Sequence, residues 1–186
     1  MVENTVAFAD LTIESAPAGA HRFMAATQDH LGYLPAALAR MAASPHLLDG
    51  FGRLTAIFGG STLDPVAREV VVMTIATRNG CHVCVAMHTA ALTALGADAP
   101  LIGALRSAAP LADERLDALR VFTLRLLDTA GDVGEAALEA FLASGYTKQN
   151  ALEVVLGIGT YTMSTLANRL TGAPVDDALR AFAWSV

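Results

Sequence analysis

Apolar residues recur at three- and four-residue intervals along almost the whole chain, and no stretch alternates with period two. That pattern predicts helices throughout and an all-α, multi-helix bundle. The punctuation between apolar runs is that of helix starts and stops. Residues 17–29 read as a first helix and Leu34 to Ala43 as a second. Ser44-Pro45 supplies an N-cap and a first-turn proline for a helix running to about Phe58, which Gly59-Gly60 stops. Asp64-Pro65 repeats the start signal for a helix to Arg78, ended by Asn79-Gly80. The next helix runs from near Cys81 to Leu95 and stops at Gly96, and Asp98 to Ser107 forms a short one before Pro110. Asp113 caps a long helix to Thr129, closed by Gly131, and Glu135 to Ala143 is short again. Thr147 caps a long helix from Lys148 to about Leu170, and Asp177 to Trp184 reads as a last one. Arg68-Glu69-Val70-Val71 is similar to Leu152-Glu153-Val154-Val155. Two related helical halves and a chance likeness between Val-rich helices both account for it.

Composition narrows the picture. The length of 186 residues suits a single domain, with residues 1–40 as an N-terminal helical extension. Hydrophobic residues make up 54% and charged residues 16%, an apolar balance for so short a chain. Burial of helix faces between copies is the expected consequence, in a homo-oligomer such as a dimer, trimer or hexamer. The net charge is −6, Lys148 is the sole lysine, and the arginines are scattered. Nucleic-acid binding, which needs a basic stripe, is not expected. Met1 to Thr5 carries an acid and no basic or apolar signal region, and the apolar run Val70 to Ile75 is far too short to span a bilayer. These features predict a cytoplasmic protein without membrane association, whose thiols are kept reduced.

The densest chemistry lies in Asn79-Gly80-Cys81-His82-Val83-Cys84-Val85-Ala86-Met87-His88. On a helix, Cys81, Cys84 and His88 fall at i, i+3 and i+7, which is one face. Cys84 and His88 are a turn apart, within reach of proton exchange. Cys81 stands at the helix start, where unpaired N–H groups and the helix dipole favour a thiolate. Thiolates attack peroxides and disulfides. The same three residues are also plausible zinc ligands, although a structural zinc site wants a fourth and the chain has no second cysteine pair. Glu69 shares a face with Val72, Met73 and Ala76, so it either carries protons from a buried position or complements the helix dipole beside Arg68. His82 points off the Cys84–His88 line toward solvent, and His21, His30 and His46 have no companion motif. Tyr161 and Asn168, on the last long helix, can pack beneath the site.

Glu69, then Cys81-x-x-Cys84, then His88 resembles the alkylhydroperoxidase D-like proteins of the carboxymuconolactone decarboxylase superfamily. Asp64-Pro65-x-x-Arg68-Glu69, Asn79-Gly80-Cys81, Ala91-x-x-x-Leu95-Gly96 and Tyr161-x6-Asn168-Arg169-Leu170-x-Gly172 extend the resemblance over roughly residues 40 to 180. It implies an all-helical, oligomeric protein in which Glu69 and His88 relay protons to the thiols. It also implies that Cys84 attacks a peroxide to give a sulfenic acid and that Cys81 resolves it as a disulfide. The dipole argument favours Cys81 as the thiolate; the family pattern and the spacing to His88 favour Cys84. The chain departs from the best-known family pattern at Val83, where a second histidine would precede the second cysteine.

The reading is therefore a thiol-dependent peroxidase or disulfide reductase, an oxidoreductase with an antioxidant role. It needs no cofactor or metal, acts on hydroperoxides, and draws electrons from an external thiol or dithiol protein. Two other readings are a decarboxylase acting on a small lactone acid, which that branch achieves without a C-x-x-C pair, and a non-enzymatic zinc-binding helical module.

Overall fold

The computed structural model describes residues 8–185, and the expectation about Met1 to Thr5 lies outside them. Among the described residues there are nine α-helices and no strands. They are α1 (His21–Leu31), α2 (Ala36–Met41), α3 (Pro45–Gly59), α4 (Pro65–Arg78), α5 (His82–Ala94), α6 (Ala99–Arg106), α7 (Glu114–Asp128), α8 (Glu135–Ala143) and α9 (Lys148–Thr171). Two 3-10 segments, Ala18–Ala20 and Asp177–Phe182, flank the set.

Short polar side chains start most of these helices. Ser44, Asp64, Asp98 and Asp113 each accept the backbone N–H three residues on, satisfying a donor that the helix leaves free. Thr147 and Asn150 do so reciprocally at the head of α9. Three boundaries differ from the sequence reading. The first helix begins as a 3-10 turn after Pro17 and runs on to Leu31, where Gly32 at φ 79° closes it. The second starts at Ala36, because Leu34 precedes Pro35 and a residue before proline is pushed out of the helical region. The last is a six-residue 3-10 segment, after which the chain extends and the Trp184 indole donates to the Arg106 carbonyl.

Helix α4 is the central element, with Val70 through Ala76 all buried. It packs against α5, α7 and α9. Gly157 on α9 makes one of these approaches possible. A Cβ there would stand 2.7 Å from the Phe58 ring and 3.1 Å from a Val71 methyl. A smaller apolar cluster gathers Ala16, Ala20, Met24, Met41 and Leu48 with Ala167 of α9, and Phe51 touches both clusters. The similar four-residue stretches of α4 and α9 occupy unlike surroundings: Val71 is fully buried, whereas Val155 is 48% exposed. No helix of the described residues is long and apolar enough to cross a membrane.

Candidate active site

The turn between α4 and α5 sets the site. Asn79 ends α4, Gly80 reverses the chain at φ 62°, and Cys81 becomes the N-cap of α5. Helix α9 clamps this turn from below. Asn79 donates through Nδ2 to Thr165 Oγ1 at 2.8 Å, and Arg169 donates to the Asn79 carbonyl. The absence of a side chain at Gly80 serves the clamp as well as the turn, because a Cβ there would meet the Arg169 guanidinium at 3.0 Å.

Both cysteines are free and buried, with their Sγ atoms 2.7 Å apart. As N-cap, Cys81 accepts the backbone N–H of Cys84 at 3.4 Å. From α9, Asn168 directs Nδ2 at Cys84 Sγ (3.3 Å) and, more distantly, at Cys81 Sγ (3.9 Å). Ser164 Oγ lies 3.9 Å from Cys84 Sγ. The pair is electrostatically unequal. Hydrogen bonding from Cys84 brings the Cys81 thiol from an ordinary 9 down to about 7, with help from the Cys84 N–H, Asn168 and His88 and against the effect of burial. The proton so held, together with burial and the charge on Cys81, pushes Cys84 up. Of the two thiols, Cys81 is therefore the easier to ionise.

His88, on α5, turns Nδ1 to Glu69 Oε2 of α4 at 2.7 Å. Both side chains are largely buried. With the carboxylate as acceptor, Nδ1 carries the proton and Nε2 is the free nitrogen. The Tyr161 ring packs edge-on against the imidazole at 5.3 Å, fixing its plane. Burial, reinforced by the charge of Glu69, pushes the Tyr161 hydroxyl up to about 12, so it stays protonated. Arg68, the alternative partner for Glu69, instead donates to the Leu63 carbonyl.

The four residues picked out by spacing lie on α4 and α5 as two contacting pairs, Cys81 with Cys84 and Glu69 with His88; from α9, Asn168 touches the first pair and Tyr161 the second. His82 stays outside both. It is exposed, with Nδ1 hydrogen-bonded to the Trp184 carbonyl at 2.8 Å. His30 and His46 are exposed, and His21 bonds the Ala16 carbonyl. Ser164 and Thr165 were given no part in the site from the sequence, and Arg169 entered only as a position of the family pattern. Their signal was there, in polar side chains at 161, 164, 165 and 168, spaced three and four apart on a helix whose inner face should be apolar. Among the described residues, no group of three or more His, Cys, Asp and Glu side chains is arranged to hold a metal ion. A cavity of about 280 Å³ reaches the site past Gly80, Cys81, Asn168 and Arg169, and a neighbouring one of about 660 Å³ shares Gly80 and Arg169 with it.

Residues 42–124 match the carboxymuconolactone decarboxylase family. That segment contains Glu69, Cys81, Cys84 and His88 together, and the match bears out the resemblance drawn from them. No curated protein matches the chain by sequence. Among solved structures, an uncharacterized peroxidase-related protein from Ralstonia eutropha JMP134, described as an alkylhydroperoxidase AhpD core, superposes with a TM-score of 0.80. It is 20% identical over 92% of this chain and 93% of its own. A peroxidase-related protein from Silicibacter sp. TM1040 gives 0.77 at 21% identity, covering 96% of each chain. The debrominase Bmp8 in complex with 2,3,4-tribromopyrrole gives 0.73 at 17% identity over 97% of this chain and 96% of its own. At these identities the likeness is one of fold: the helical arrangement is that of alkylhydroperoxidase D-like proteins.

Proposed function

We propose that this chain, whose residues 42–124 carry the carboxymuconolactone decarboxylase family pattern, is a dithiol peroxidase that reduces hydroperoxides through Cys81 and Cys84. The reading is supported by a buried dithiol with its sulfurs 2.7 Å apart and by a Glu69–His88 hydrogen bond whose histidine follows Cys84 by four residues on α5. A proton relay has a definite task here. Cys84 is the harder of the two to ionise and becomes a nucleophile only when its proton is taken away; His88 Nε2, backed by Glu69, is the base for it. Asn168 Nδ2 and Ser164 Oγ lie on the Cys84 side of the pair, where charge develops as the proton leaves.

The reaction then closes without a cofactor. The Cys84 thiolate attacks the terminal oxygen of ROOH; the S–O bond forms, the O–O bond breaks, and the departing alkoxide takes a proton from His88 to leave as ROH. Cys81 attacks the Cys84 sulfenic acid; the S–S bond forms, the S–O bond breaks, and the hydroxide leaves as water by taking the proton that Cys81 gives up, directly or through solvent. An external thiol or dithiol protein returns two electrons to the disulfide. The reading includes a reducing, cytoplasmic setting and a homo-oligomer, and treats residues 1–186 as one domain with 1–40 as an N-terminal helical extension.

The test is a count of free thiols before and after one equivalent of hydroperoxide under denaturing conditions. Loss of two thiols per chain, restored by dithiothreitol, is expected. An unchanged count would remove peroxide chemistry from this site.

A further inference from the structure

Asn168 is 95% buried and its two amide ends fare very differently. Nδ2 has the two sulfurs. Oδ1 is shut away from solvent and has no hydrogen-bond partner. Leaving a buried carbonyl unpartnered is unfavourable, and such orphans call for a functional or structural reason. Packing alone does not supply one, because an apolar side chain fills space without stranding a polar atom. The residue also borders the 280 Å³ cavity that ends at Cys81.

We infer that Asn168 is a catalytic residue that serves both reactants at once: its amide N–H holds the Cys84 sulfur while its orphaned carbonyl accepts the O–H of the hydroperoxide. This inference rests on the peroxidase reading and sharpens it. The substrate class it selects is a hydroperoxide carrying its terminal hydrogen, ROOH or H₂O₂, and not a dialkyl peroxide, which has no O–H to offer. One planar amide bonded to both partners sets the terminal oxygen against the sulfur it will join. As the S–O bond forms and the O–O bond breaks, the hydrogen stays on the transferred oxygen. The same carbonyl then holds the hydroxyl of the Cys84 sulfenic acid, with RO⁻ leaving toward the proton on His88. The N–H half of the amide offsets the negative charge on sulfur before attack.

The experiment compares two reagents on Cys84 in a Cys81→Ser background, where no second thiol competes for either, read by peptide mass spectrometry at pH 7. Iodoacetamide alkylates a thiolate without needing its own O–H bound; hydroperoxide needs both halves of the amide. Asn168→Leu and Asn168→Ala are compared with Asn168 in the same background, with helix content and melting followed by circular dichroism. Alkylation is expected to slow by about 10- to 100-fold, the range for a hydrogen bond to a charged group, and oxidation by hydroperoxide to slow at least tenfold more than alkylation does. Equal slowing of both reactions overturns the carbonyl's role; no slowing of either returns Asn168 to packing. If both variants melt out, Asn168→Asp replaces them, keeping an acceptor and losing the donor. It should then depress alkylation at least as strongly as oxidation, and the opposite order overturns the inference. Failure of the unaltered protein to react with hydroperoxide sinks the peroxidase reading itself, whereas failure confined to the ratio sinks only the role of Asn168.

Discussion

Glu69 and His88 stand 19 positions apart in the chain and 2.7 Å apart in space, on separate helices that meet across the central packing of the molecule. The carboxylate fixes the imidazole tautomer and leaves Nε2 as the nitrogen able to exchange a proton with its surroundings. Glu69→Gln keeps the size and removes the charge. It should slow oxidation of the thiols by hydroperoxide by about 10²–10⁴-fold, the usual contribution of a proton-transfer group, while both cysteines remain titratable after denaturation. Stopped-flow oxidation followed by thiol counting checks both halves.

The charge asymmetry of the dithiol gives a pH signature. Cys81 is held at about 7, chiefly by hydrogen bonding from Cys84. Its alkylation rate in the intact protein should rise through that pH, and in Cys84→Ala the midpoint should move upward, because the main cause is gone. Stability should follow the same group. The folded value lies below the ordinary 9, so its contribution is fully present above that pH and is lost as pH falls through about 7. Cys84 is shifted the other way, so its contribution fades as pH rises past 9. Urea midpoints should therefore climb between pH 7 and 9 and flatten or fall beyond, and the climb should be missing in Cys81→Ser.

Much of this was legible in the sequence because it is written locally. An N-cap such as Asp64 or Thr147 acts on the next three residues, and the i, i+3, i+7 spacing of Cys81, Cys84 and His88 is a property of one helix. Glu69 was ambiguous for the opposite reason. Whether an acid early in a helix pairs with its neighbouring arginine or with a histidine on the next helix is decided by how α4 and α5 cross, and no local pattern carries that crossing. Asn168 could be placed beneath the site by its position on α9. Its hold on the sulfurs depends on α9 lying against the α4–α5 turn, which Thr165 and Arg169 secure across more than 80 residues of chain.

Close approach of α9 to α4 also predicts a stability effect away from the chemistry. Gly157→Ala places a methyl group within 2.7 Å of Phe58 and 3.1 Å of Val71, both in the core. Overpacking of this kind should destabilise the fold by about 1–3 kcal/mol, read as a lower urea midpoint. At Gly159, where a Cβ meets nothing within 4 Å, alanine should be neutral or stabilising.

The outer face of α9 bears on self-association. Leu152, Val155, Leu166 and Leu170 are 72%, 48%, 59% and 76% exposed. At 3.6 residues per turn they fall within an arc of about 60°, so they form one apolar stripe along the helix. The 54% hydrophobic composition led to the expectation of a homo-oligomer, and this stripe is where a second copy should dock. Sedimentation should show a species larger than 19.3 kDa, and Leu166→Glu with Leu170→Glu should shift it toward the monomer without loss of helix content. A monomer in the unaltered protein at micromolar concentration would refute the expectation.

The two cysteines should have unequal roles, and the structure sharpens the contest between them. Charge at rest favours Cys81, at the N-cap; the relay, Ser164 and the nearer amide contact favour Cys84. A resting thiolate is the attacker only if the proton on its neighbour stays in place. Once His88 draws that proton off, Cys84 carries charge with Asn168 at 3.3 Å, and Cys81, the easier of the two to ionise, is left to resolve. Cys81→Ser should then make one attack and stall as a Cys84 sulfenic acid, while Cys84→Ser should not reduce hydroperoxide at an appreciable rate. A sulfenic-acid trap read by mass spectrometry after one equivalent of hydroperoxide distinguishes the two. An adduct on Cys81 in Cys84→Ser, with none on Cys84 in Cys81→Ser, would mean that the N-cap sets the nucleophile and that the Glu69–His88 pair serves the resolving step instead.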